Sequence, residues 1–397
     1  MRTITQSIPL TEETPLGDQE FQTGQVLTIV GGHFIHDTFS AFVSPLLPLI
    51  IEKLSLSLTS AGGLWSFLQI PALLTPFIGY MADKVSLRYF VIFAPAATAT
   101  LMSLLGFAPN YWTLACLLLL AGISVSIFHA PAPAMVGRLS GRQLGRGMSF
   151  FMAGGELGRS LAPLLAVWVV SIWTLDGFYR IMVLGWAASL ILYWRLRDIP
   201  ARTKPQDLRA ALPAMRRLFV PLVGIIIARE FLLTSLTVFL PTFRTLSGAS
   251  LLGAGASLAM WELAGVGGAL LSGSLSDRLG RRRVLLTTML SSSLLVLPFL
   301  YVNNWLLTPI LLLLGFTALA ATPVLLAIIQ EQMPHNRAMA NGVFMSLAFV
   351  TRPMVAFVIG FLGDNFGLGT AFFVGAVISL LAVPLLFTLP EQQASQK

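Results

Sequence analysis

Charge is what this chain has least of. Only 11% of its 397 residues are Asp, Glu, Lys or Arg, where a water-soluble domain carries about 25%. With 56% hydrophobic residues and a mean hydropathy of +0.81, the chain holds more apolar surface than a soluble core can hide. A water-soluble globular fold is therefore excluded, and an all-α polytopic membrane protein is expected. Cysteine is nearly missing too. The single Cys116 lies in an apolar segment, which excludes a disulfide framework and a thiolate metal site within one chain. HExxH, GxSxG and paired intramembrane aspartates in protease spacing are all absent, so an intramembrane enzyme is not expected. The first residues, MRTITQSIPLTEETPLGDQEFQ, are polar and acidic without an apolar centre, so a cleavable signal peptide is not expected either.

What the chain does have is a series of apolar segments of the length that crosses a bilayer, about 20 residues or more. Twelve are predicted, at 24–51, 58–82, 89–107, 110–136, 143–171, 176–196, 214–243, 249–276, 283–302, 304–330, 336–363 and 366–388. The expected organisation is a polar tail at 1–23, a six-helix half at 24–196, a basic linker at 197–213, a second six-helix half at 214–388 and a tail at 389–397. The formal net charge of +8 invites a nucleic-acid reading, but the basic residues sit in short loops between apolar segments, as membrane orientation requires. One side of the predicted topology carries the linker and most of the arginines; the other holds only Lys53, Arg180 and Arg244. The basic side is expected to be cytoplasmic, with both termini inside.

The halves repeat. GYMADKVSLRYF at 79–90 aligns with GSLSDRLGRRRV at 273–284, and HDTFSAFVSPLLP at 36–48 aligns with REFLLTSLTVFLP at 229–241. The same register pairs Gln69 with Glu262 and Arg159 with Arg352. Parallel six-helix repeats build one large class of transporter, with the substrate site at the repeat interface. GSLSDRLGRRR is the full G-x-x-x-D-R-x-G-R-R loop signature of the major facilitator superfamily, and GYMADKVSLRYF is a degraded copy that keeps Asp83, Lys84 and Arg88. On these residues the chain resembles that superfamily. GGHFIHD with SPLLPLI, GISVSIFHAPAP and FMAGGELGRSLAPLLA further resemble its fosmidomycin-resistance group of bacterial efflux transporters. Ala130 and Pro131 replace that group's Pro-Glu, and Glu156 and Arg159 stand where it carries uncharged residues.

Ionisable residues inside a bilayer are functional candidates by default. Here they are His33, His36 and Asp37 in segment 1, His129 in segment 4, Glu156 and Arg159 in segment 5, Arg229 and Glu230 in segment 7, Glu262 in segment 8 and Arg352 in segment 11. The resemblance implies that segments 1, 4, 7 and 10 line a cavity and that 2, 5, 8 and 11 flank it. Asp37, with His33 and His36 within a turn, is the first candidate for carrying protons; Glu230, Glu262 and Glu156 are the others. Arg229, Arg159 and Arg352, with His129 and Gln69, are candidates for binding an anionic substrate, because a guanidinium matches carboxylate, phosphate and phosphonate. The competing reading is that acids and arginines only neutralise each other, as Glu156 and Arg159 are spaced to do. Asp83, Lys84, Arg88, Asp277, Arg278 and Arg281 are candidates for a latch between the halves.

These residues point to a proton-coupled secondary transporter, foremost an exporter of a small anionic or zwitterionic organic compound such as a phosphonate-type drug. The alternatives are a proton-coupled importer of an organic anion and a divalent metal transporter using His33, His36, Asp37 and His129, against which the nearby arginines count. No cofactor and no resident metal are expected. The expected partners are the substrate, protons and lipid, without nucleic acid, and the chain is expected to act as a monomer.

Overall fold

The computed structural model describes residues 20–75, 77–78, 88–197, 212–302, 304–332 and 337–389. Among these described residues, eleven helices are long and apolar enough to cross a membrane, and a shorter apolar helix joins them. We label them α1 (Thr23–Leu54), α2 (Leu58–Leu74), α3 (Arg88–Phe107), α4 (Tyr111–Leu139), α5 (Arg146–Trp173), α6 (Asp176–Leu196), α7 (Pro221–Leu246), α8 (Leu251–Leu279), α9 (Arg281–Tyr301), α10 (Leu307–Ile329), α11 (Leu347–Phe366) and α12 (Leu368–Thr388). They match the twelve predicted segments in order. Segment 2, predicted to reach 82, is described only in part, and most of the predicted linker lies outside the described residues.

Side-chain oxygens start several helices. Ser57, Asn110 and Ser250 accept the backbone N–H three residues on, closing donors that a helix leaves open. Prolines divide two of them. α1 runs as Thr23–Ser40 and Val43–Leu54, because Pro45 has no N–H to offer the carbonyl of Ala41. In α4 the first stretch ends at His129 and the second begins at Ala132, and Pro133 likewise withholds a donor from His129. Both breaks fall within a turn or so of a predicted site residue.

The buried apolar residues show how the halves are joined. At the end bearing the α1–α2 turn, here the far end, one continuous core draws on both halves; it includes Phe42, Leu64 and Leu118 of the first and Phe239, Trp261 and Phe372 of the second. At the linker end each half has its own core. One holds Ile29, Phe128 and Leu192; the other holds Leu222, Leu285 and Val324. The molecule is therefore a V whose arms meet at the far end. Glycines permit that meeting: a Cβ on Gly62 of α2 would strike the carbonyl of Ala356 in α11, and one on Gly360 would strike the carbonyl of Leu58. The Asp364 carboxylate, near the end of α11, accepts the backbone N–H of Leu58 at 2.7 Å and of Thr59 at 2.8 Å, capping α2 from the opposite half. Trp112, Trp194, Tyr301 and Trp305 are exposed near helix ends, where aromatic rings settle at the edges of a bilayer.

Candidate functional site

The intramembrane charges stand at one level of the V. Asp37 precedes Phe39, Arg159 precedes Ala162, Glu230 precedes Leu232, Glu262 follows Trp261 and Arg352 precedes Val355, each of these neighbours being part of the joint far-end core. The charged residues thus form the floor of the cleft between the arms.

The first half holds the denser cluster. The Asp37 carboxylate, buried on α1, lies 3.0 Å from Arg159 Nη1, 3.1 Å from His36 Nδ1, 3.2 Å from His33 Nε2 and 3.3 Å from His129 Nε2. Arg159 also pairs with Glu156 one turn before it, the local pair anticipated from their spacing. Two of the three histidines are fixed from behind. His33 Nδ1 donates to the Phe151 carbonyl at 2.8 Å, and His129 Nδ1 donates to the Val125 carbonyl at 3.0 Å. His33 also stacks on Phe151 and His36 on Phe128. Room for the cluster comes from Gly155 of α5: a Cβ there would lie 2.5 Å from His33 Cε1 and 2.9 Å from Asp37 Oδ2.

The second half repeats the arrangement in simpler form. Arg352 Nε donates to Glu230 Oε2 at 3.1 Å, linking α7 to α11 as Arg159 and Asp37 link α1 to α5. The repeat offset of 193 residues carries one ion pair onto the other. The positions of His36 and Arg229 correspond as well: His36 is buried against α4, and Arg229 against α10, where its Nη2 donates to the Ala318 carbonyl at 3.2 Å and contacts the Thr322 hydroxyl. Exposure separates the arginines. The side chains of Arg159 and Arg352 are 39% and 35% exposed, that of Arg229 only 6%. The cleft therefore meets Arg159 and Arg352, while Arg229 belongs to the packing between α7 and α10.

Glu262 of α8 is half-buried and has no hydrogen bond or ion pair with a described residue. Arg159 and Glu156 of α5 and Arg352 of α11 lie within its electrostatic range. It is the acid left over when Asp37, Glu156 and Glu230 have taken their arginines. Gln69, its counterpart by repeat, ends the α-helical part of α2 half-buried, and its side chain makes no hydrogen bond to the other described site residues.

The described members of the predicted latch lie apart, at the linker end. Asp277, in the last turn of α8, pairs with Arg281 at the start of α9 at 2.5 Å, and Arg281 also contacts Ser276. Arg278 is exposed, and Arg88 lies over the Tyr89 ring. Asp83 and Lys84 lie outside the described residues. Sequence reasoning missed two elements of this geometry, Gly155 and Asp364. A double glycine beside charged residues was the available signal for the first. For the second there was none, since a cap supplied from some 300 residues away leaves no local pattern.

The family model described as Major Facilitator Superfamily matches residues 29–280 and 258–397. The chain belongs to the Major Facilitator Superfamily. Members of this superfamily are multi-pass membrane transporters and not enzymes. The chain is 26% identical over 389 residues to the uncharacterized MFS-type transporter YfnC of Bacillus subtilis (strain 168), covering 93% of each chain. It is 25% identical over 379 residues to the fosmidomycin resistance protein of Escherichia coli (strain K12), covering 91% of each. In fold it is similar to a bacterial homologue of the human lysosomal transporter Spinster in an inward-facing, unoccupied conformation, with a TM-score of 0.79, 14% identity and coverage of 94% of this chain and 98% of that one.

Proposed function

We propose that this superfamily transporter is a proton-coupled exporter of a small anionic or zwitterionic organic compound. The observation that carries the reading is the pair of repeat-related, cleft-facing arginines, Arg159 and Arg352, with the uncompensated acid Glu262 in electrostatic range of both. A substrate carboxylate or phosphonate entering the cleft meets one guanidinium from each half. Each is already held by an acid of its own half, so neither collapses onto the other's partner. Glu262 has no such partner, and movement of the halves changes its distance to Arg159 of the first half, while Arg352 of its own half moves with it. An acid whose surroundings alternate in this way binds a proton in one state and releases it in the other.

The basic linker side is cytoplasmic in this reading, both termini are inside, and the V opens to the cytoplasm. Pairing of Asp277 with Arg281 across the α8–α9 junction, within its own half, fits a latch that is disengaged when the linker end is open. Export is favoured by the relation to a protein named for fosmidomycin resistance. The test of substrate charge is binding of matched anionic and neutral analogues to purified protein. Arg159→Gln and Arg352→Gln should each weaken the anion by roughly tenfold to a hundredfold, the value of one charge-assisted hydrogen bond, and leave the neutral analogue unchanged. Arg229→Gln should not discriminate between them. Anion binding at parental strength in both cleft variants would overturn the reading.

A further inference from the structure

The hydrogen bonds around Asp37 leave a geometric residue that anion transport does not use. A neutral imidazole has one N–H, and both His33 and His129 spend it on a backbone carbonyl. Their Nε2 atoms therefore present lone pairs, and these point at each other across 3.3 Å and at the Asp37 carboxylate across 3.2 and 3.3 Å. Three acceptors from α1 and α4 converge where only a positive species can hold them together.

We propose that His33, Asp37 and His129 form a three-ligand site for a first-row divalent transition metal of the Zn²⁺ or Co²⁺ type, set in the wall of the cleft. Around an ion bound at about 2.1 Å with tetrahedral angles, ligand atoms stand about 3.4 Å apart. The two Nε2 atoms stand 3.3 Å apart, His33 Nε2 lies 3.2 Å from Asp37 Oδ2 and His129 Nε2 3.3 Å from Asp37 Oδ1. With a single carboxylate oxygen as ligand, all three atoms lie within 4.8 Å of one another, so the imidazoles already stand at ligand spacing and the carboxylate has only to turn one oxygen toward the ion. The backbone carbonyls behind each Nδ1 supply the outer contacts that fix the tautomer and orientation of metal-ligating histidines. His129 is 32% exposed, so the fourth position faces the cleft and is reachable by a cation and by water. Two imidazoles and a carboxylate suit zinc, cobalt, nickel or iron(II), and do not suit calcium or magnesium. Arg159 opposes a cation at Asp37, but it is shared with Glu156, so the two carboxylates keep a net negative charge around it. His36 is not a ligand: its Nδ1 bonds Asp37 and its Nε2 is buried. The site does not depend on Glu262 as the proton carrier, and either assignment can fail alone.

The test titrates Co²⁺, then Zn²⁺, into chelator-stripped, detergent-purified full-length protein, with visible absorption and calorimetry as readouts. The expected result is one ion per chain and the intense d–d bands of four-coordinate cobalt. His33→Ala and His129→Ala should each weaken binding at least about tenfold, since even outer contacts to a ligand are worth that much, whereas alanine at His335, the fourth histidine of the chain and outside the described residues, should leave binding as in the parent. If either alanine variant fails size exclusion, zinc-edge X-ray absorption of the loaded parent decides: two imidazoles in the first shell support the site, and an all-oxygen shell overturns it. Absence of saturable binding in the folded parent, or parental binding in both alanine variants, also overturns it and leaves the cluster holding protons alone.

Discussion

At the scale of single residues, Gly155 is the position on which the first-half cluster depends. α5 passes so close to α1 that one methyl group would enter the space of the His33 ring and the Asp37 carboxylate. Neither can retreat, because His33 is stacked on Phe151 and tied to its carbonyl. Gly155→Ala should therefore lower stability by about 1–3 kcal/mol, the usual penalty of overpacking, and displace His33 from Asp37. Gly31, on the same helix as His33, has nothing within 4 Å of where its Cβ would be. Gly31→Ala should leave stability unchanged or raise it by up to about 1 kcal/mol through helix propensity. Thermal unfolding of the two purified variants separates the cases, and a harmless Gly155→Ala would show that the α1–α5 contact is looser than described.

At the scale of elements, the far-end closure is a contact between α2 and α11 rather than a loop. Asp364 accepts two backbone N–H groups at the start of α2 and its Thr59 hydroxyl at 2.5 Å, so the carboxylate compensates the open donors of a helix in the other half. Any state in which the far end opens must break these bonds. Asp364→Asn should weaken the cap by about 0.5–2 kcal/mol, judged from the range for N-cap losses, and raise the far-end-open population several-fold. Spin-label distances between the far ends of α2 and α11 read this directly; an unchanged distribution would mean that the cap does not hold the closed state.

The elements and their order were legible because bilayer length and the apolar runs around the repeat leave little freedom. The registers pairing Asp37 with Glu230 and Arg159 with Arg352 were legible for the same reason, and the structure joins those four residues as one ion pair per half. Which way a side chain leaves its helix was not legible. Arg229 repeats His36 in sequence, yet whether it meets the cleft or α10 depends on Thr322 and the Ala318 carbonyl, which no spacing within α7 encodes. The division of α1 at Ala41 and Phe42 follows from Pro45 and was present in the sequence, though length alone read the segment as one helix.

At the scale of the whole molecule, the joint core at the far end and the two separate cores at the linker end describe one of the two states that alternating access requires, with the charged floor between them. The account rests on Glu262 exchanging its proton as the halves move, so the decisive measurement is transport in proteoliposomes under an imposed pH gradient. A phosphonate or carboxylate is supplied on one side, and the parent is compared with Glu262→Gln, which keeps the side chain's shape and removes its proton. The parent should drive the substrate against its own gradient only while the pH gradient lasts. Glu262→Gln should still exchange substrate down its gradient and lose the uphill movement. A Glu262→Gln protein that concentrates the substrate as the parent does, or a parent indifferent to the pH gradient, would contradict the account.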